Sequence, residues 1–223
     1  MNTRLEDRAG KILLLSAFGF LAVNQLIAAI IFVKAHGWTD VFSVRAVAQF
    51  VSLNFLAVVI LTTIRRLPAK RNAQGIEPRL TAIAGTFMLV VLVYLPAGNI
   101  GFGLQLVSTI LIISGTALSI YCLHALGRSF SIMASARRLV TEGPYSIVRH
   151  PLYAAEAITT IGIIMAHFSK AAVLVGVLQI LLQFRRMQNE QRVLRDAFPE
   201  YEAYAARVPM IIPRPLSAAV GGG

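Results

Sequence analysis

The sequence predicts an all-α integral membrane protein. About six membrane-embedded helices are expected, the last two a short hairpin, followed by a C-terminal cytosolic amphipathic helix. Three observations carry this. First, the 223 residues are 57% hydrophobic and only 14% charged, whereas a soluble domain is nearer ~45–50% apolar and ~25% charged. Second, apolar runs recur at lengths near the ~20 residues that cross a hydrocarbon layer. Third, 18 of the 21 Lys and Arg residues fall on one side of the alternating map that these runs define, and only Lys34, Arg45 and Lys170 fall on the other. Such asymmetry is what the positive-inside rule gives for six crossings with both termini cytoplasmic.

The runs are residues 12–33, 44–64, 80–97, 102–126, 152–167 and 171–184. The first is longer than the ~7–15-residue core of a signal peptide and reads as a retained helix. Pro68 and Asn72-Ala73-Gln74-Gly75 break the chain after the second run. The fifth and sixth runs are short and flank Phe168-Ser169-Lys170, as in a tight hairpin. The second arm is expected to continue as a polar helix toward Ala206. This divides the chain into an N-terminal four-helix region, 1–126, and a cofactor-binding and catalytic region, 127–223.

The net charge of +11 is explained by cytoplasmic loops meeting anionic lipid heads rather than by nucleic acid. The single cysteine, Cys122, excludes an internal disulfide. No two histidines have metal-ligand spacing, so no metal is expected.

Polar residues not needed for insertion concentrate in the last region. Pro151 suits the first turn of a helix. A helix starting there offers free N–H groups to an anion, with Arg149 and His150 beside it. Glu156, the only acid inside an apolar run, is a candidate for substrate binding, because an intramembrane acid is expensive to keep. A first-turn acid also simply stabilises a helix.

Gly143-Pro144-Tyr145, Arg149-His150-Pro151 and Tyr153, followed by Glu190, Leu194, Phe198, Tyr201, Tyr204 and Arg207-Val208-Pro209, resemble the isoprenylcysteine carboxyl methyltransferase family. That family is related to the membrane phospholipid N-methyltransferases. The resemblance covers roughly residues 127–213. It implies an integral membrane enzyme of bacterial inner-membrane type that uses S-adenosylmethionine. The acceptor it implies is a lipophilic small molecule, a lipid or a prenylated substrate, methylated at the cytosolic face, most simply on oxygen. It carries Leu139, Tyr145, His150, Pro151, Tyr153 and Tyr204 to cofactor binding, and Arg149, Glu190 and Arg207 to the reacting end. The sequence departs from the family at Glu190-Gln191, where the family often has Glu-Glu, and at Phe198-Pro199, where it usually has Phe-Gly. Two alternatives are a sterol-reductase-like enzyme using NADPH and a non-enzymatic membrane regulator of the same fold.

Overall fold

A computed structural model describes residues 3–36, 44–93, 95–96 and 98–213. Six long helices occupy the six apolar runs. They are α1 (Thr3–His36), α2 (Val44–Arg65), α3 (Glu77–Val93), α4 (Phe102–Leu126), α5 (Pro151–Ala166) and α6 (Lys170–Ala197). Among the described residues three stretches are long and apolar enough to cross a membrane: residues 10–35 of α1, 46–65 of α2, and 102–129, which is α4 with the turn after it. Their outward side chains, among them Phe20, Ile31, Phe50 and Ile110, are exposed. That arrangement is stable only against an apolar solvent. At 17 and 16 residues, α3 and α5 fall slightly short of the usual spanning length.

The breaks follow local chemistry. Between α2 and α3, Arg71–Asn72 (β1) pairs antiparallel with Ser135–Ala136 (β2). Lys70 N–H and Ala73 N–H extend that ladder to the carbonyls of Ala136 and Ala134. This small ribbon pins the loop after α2 to the segment after α4. At the hairpin, the Ser169 hydroxyl caps α6 by accepting from Ala172 N–H at 3.1 Å.

The tightest packing lies between α4 and α5. Ser108, Gly115 and Ser119 are buried on α4, and Ala155, Thr160 and Gly162 on α5. A Cβ on Gly115 would sit 2.6 Å from Thr159 N and 2.8 Å from Ala155 O; one on Gly162 would sit 2.8 Å from Ser108 O. The two main chains therefore touch, as small residues allow between helices in lipid.

One expectation is corrected. The second hairpin arm does not run unbroken to Ala206. α6 ends at Ala197, Phe198 is extended (φ −134°, ψ 107°), and a separate seven-residue helix, α7 (Tyr201–Arg207), follows. Pro199 explains the break, since a residue preceding proline is pushed from helical to extended backbone.

Candidate functional site

The site forms where the start of α5 meets the polar half of α6. His150 caps α5 and Pro151 occupies its first turn, as the missing N–H of proline favours. The chain after α7 returns to this point. Arg149 N–H and His150 N–H donate to the carbonyls of Pro209 and Met210 at 2.9 and 3.1 Å. The turn before α5 is thus held by a strap 60 residues further on.

The His150 side chain is only 3% exposed. Its ring meets Tyr153 edge-on with centroids 5.6 Å apart. Gln191 bridges the two basic residues: its Oε1 accepts from Arg149 Nη1 at 3.2 Å, and its Nε2 lies 3.0 Å from His150 Nε2. With the amide so oriented, Gln191 donates to the imidazole. The ring proton then sits on Nδ1, 3.9 Å from Glu190 Oε2. Burial, and then the neighbouring Arg149, push the His150 pKa down to about 3, so the ring is neutral at physiological pH. Burial raises Glu190 above the usual carboxylate range, against a hydrogen bond from the Tyr153 hydroxyl and the charge of Arg186.

A deeper polar layer continues from this cluster. The Arg186 guanidinium stacks over Tyr153 at 5.3 Å and donates to Ile132 O at 3.3 Å. Gln183 Nε2 donates to Glu156 Oε2 at 2.8 Å, and Gln179 Nε2 to Gly85 O at 2.7 Å. On the other flank, Tyr204 Oη donates to Tyr145 O at 2.6 Å. Burial pushes the Tyr204 phenol up to about 12 and raises Tyr145 well above its ordinary value. Leu139 packs against Ala136, Val193, Phe198, Tyr201 and Tyr204.

Arg149, His150, Pro151, Tyr153 and Glu190 are therefore brought together. Tyr145, Tyr204 and Leu139 form an adjoining apolar wall, and Glu156 lies a layer deeper. Arg207 is not in the cluster: it is exposed, with its Nε on Ala203 O of its own helix at 3.3 Å. Gln191 and Arg186 were missed as site residues. For Arg186 the signal is the spacing Gln179, Gln183, Arg186, Glu190, which lines one face of a helix; Gln191 has none. Among the described residues no group of three or more His, Cys, Asp or Glu could hold a metal ion.

The stretch that contains both halves of this cluster is also the stretch that matches a known protein family. Residues 108–196 match the isoprenylcysteine carboxyl methyltransferase (ICMT) family. Over 77 residues the chain is 40% identical to the cobalt-zinc-cadmium resistance protein CzcN of Cupriavidus metallidurans, covering 34% of this chain and 36% of that protein. It is 35% identical to the nickel-cobalt-cadmium resistance protein NccN of Alcaligenes xylosoxydans xylosoxydans over the same shares. Over 110 residues it is 34% identical to protein-S-isoprenylcysteine O-methyltransferase B of Arabidopsis thaliana, covering 46% of this chain and 56% of the plant enzyme. The chain thus spans about a third to just over half of the curated relatives it matches. The ICMT match includes Leu139, Arg149, His150, Tyr153 and Glu190 and stops short of Tyr204 and Arg207.

Proposed function

We propose that the chain is a membrane methyltransferase that uses S-adenosylmethionine to methylate a lipophilic, prenylated acceptor, most simply on a carboxylate oxygen, at the cytosolic face. The observation that carries the reading is the convergence of Arg149-His150-Pro151 with Glu190 inside the ICMT-matching stretch. The donor set fits the cofactor. Tyr145, Tyr153 and Tyr204 offer aromatic faces to a sulfonium, Arg149 a fork for a carboxylate, and Leu139 an apolar surface for adenine. The cavity beside Tyr153 and Glu190 is only about 10 Å³, barely room for one water. The segment around Ile132–Ala134 that roofs it therefore has to shift for a nucleoside to bind.

When bound, S-adenosylmethionine supplies an electrophilic methyl group on a positively charged sulfur. The protein's part is to align the acceptor with it and to keep water out. A carboxylate acceptor needs no base; an amine acceptor would, and Glu190 is the residue placed to take its proton. Calorimetry on the full chain should show S-adenosylhomocysteine binding, weakened by His150→Ala by the ~1–3 kcal/mol of an unmade buried hydrogen bond. Binding of NADPH instead would favour the reductase alternative and overturn this reading.

Arg207 is proposed to reach the reacting end as a fork on a carboxylate. Arg207→Lys is then expected to lower kcat/KM by about tenfold, because a point charge cannot replace a bidentate contact. Full activity in that variant would leave Arg207 as an anchor to anionic lipid.

We further propose that α3, α5 and the first half of α6 also cross or enter the membrane, giving six crossings with both termini cytoplasmic. Reporter fusions at Ala73 and Gly98 should report opposite sides; the same side for both would reduce the count.

A further inference from the structure

A second polar cluster lies apart from His150 and Glu190, where the start of α1 meets the loop after α2. Arg66 and Arg137 both grip Asp7 Oδ1, at 2.9 and 2.8 Å. Their side chains are 4% and 1% exposed, whereas that of Asp7 is 27% exposed. Arg137 also donates to Leu67 O. Among the described residues, two buried guanidinium groups thus share one partly exposed carboxylate, two positive charges against one negative in a dry place. Such an arrangement is costly unless something else neutralises it.

The surroundings point to what does so. Both guanidiniums line a cavity of about 280 Å³, with Arg79, Ser131 and Ser135 on its wall. Asp7 is the one acid among the described residues that line it, and Arg66 and Arg137 both draw on it. Among the described residues, Arg66 Nε, Arg137 Nε and the hydroxyls of Ser131 and Ser135 are buried without a hydrogen-bond partner. Burial first, and Arg137 second, hold Arg66 below its usual range despite Asp7. Buried orphan donors beside excess positive charge are what an oxyanion would satisfy. Arginine forks and serine hydroxyls are the donors that grip phosphate or carboxylate oxygens. The volume lies just under the ~300–1,000 Å³ of whole-ligand pockets, so it suits a headgroup rather than an entire lipid.

We infer that the cavity bounded by Asp7, Arg66, Arg79, Ser131, Ser135 and Arg137 is a binding site for a phosphate-type oxyanion, either free or carried on an anionic lipid head. The competing view is that Asp7, Arg66 and Arg137 only clip α1 to the ribbon. A clip stabilises the fold whatever anion is present, whereas a site responds to the anion.

The test is thermal unfolding of the full chain in phosphatidylcholine vesicles, with two probes. One is inorganic phosphate added at constant ionic strength against chloride; the other is phosphatidylglycerol mixed into the vesicle. A Tm rise of at least about 2 °C from either probe is expected, and which probe acts identifies the source. The rise should vanish in Arg66→Gln and shrink in Ser135→Ala, which removes no charge and serves if Arg66→Gln fails to fold. No rise with either probe, an equal rise with chloride, or an unaltered rise in folded Ser135→Ala would overturn the site. Since S-adenosylmethionine also carries a carboxylate, both variants are titrated with S-adenosylhomocysteine. Unchanged affinity is expected, and its loss in both would make the cluster part of the cofactor site instead. Failure of the wild type to bind S-adenosylhomocysteine would strike the methyltransferase reading alone and leave the phosphate result readable.

Discussion

Glu190→Gln is expected to lower methyl transfer about 100-fold or more, while S-adenosylhomocysteine affinity changes by less than about threefold. That pattern marks a group whose charge counts more in the transition state than in binding, worth ~2.7 kcal/mol or more. Glutamine keeps the shape and can still accept from the Tyr153 hydroxyl, so the fold should survive. What it removes is a negative charge on a partly exposed side chain, next to the buried, neutral His150 ring and within reach of the proposed cofactor's cation. Fixed charges in such places exert more than they would in water. The pH profile offers a second readout. Burial raises Glu190, so the carboxylate takes up its proton above the usual carboxylate range as pH falls. Activity should therefore decline on the acid side at unusually high pH, and this limb should be absent from the residual activity of Glu190→Gln. Wild-type turnover in the variant, or an unchanged acid limb, would remove Glu190 from the reacting end.

Gly115→Leu should prevent α4 and α5 from docking. Even a lone Cβ there would lie 2.5 Å from Thr159 Oγ1 and 2.6 Å from Thr159 N, and main chain cannot step aside as a side-chain tip can. Overpacking of this kind typically costs ~1–3 kcal/mol with one or two extra methylenes. A leucine against backbone should exceed that range. Thermal unfolding in lipid should show a large loss of stability or no folded protein. Gly103→Ala is the matched control, with nothing within 4 Å of its added Cβ, and it should be neutral or slightly stabilising. A wild-type Tm for Gly115→Leu would mean that the helices are not packed this closely.

The helices were legible because insertion into lipid demands long apolar runs, and nothing else in the sequence imitates them. Their starts and stops also followed simple rules, with Pro151 at a helix start and Pro68 through Gly75 at a break. The end of the hairpin arm is not legible in the sequence, because a continuous amphipathic pattern runs across Pro199, whose effect on Phe198 is a single-residue steric matter. In the site, Arg149, His150, Tyr153 and Glu190 could be named from their motif. Gln191 could not, because its role depends on which way an amide faces between two other side chains. Arg66, Arg137 and Asp7 come from three distant segments, which the packing of α1 on α2 and the pairing of β1 with β2 place together. Counting basic residues for topology assigned Arg66 and Arg137 a side of the membrane and so gave no reason to look at them individually.

The seam between α4 and α5 also restricts traffic. Where two main chains touch at Gly115 and Gly162, no methylene can pass, so a hydrocarbon tail drifting in from the bilayer finds that flank shut. Between α3 and α6 the contact is made by side chains: the Arg186 methylenes lie against Gly85, and Gln179 donates to Gly85 O. A side chain can change rotamer at a contact where packed backbone cannot step aside. If the proposed lipophilic acceptor enters from the bilayer, the α3–α6 flank is the one where a side chain, Arg186 resting on Tyr153, would have to move.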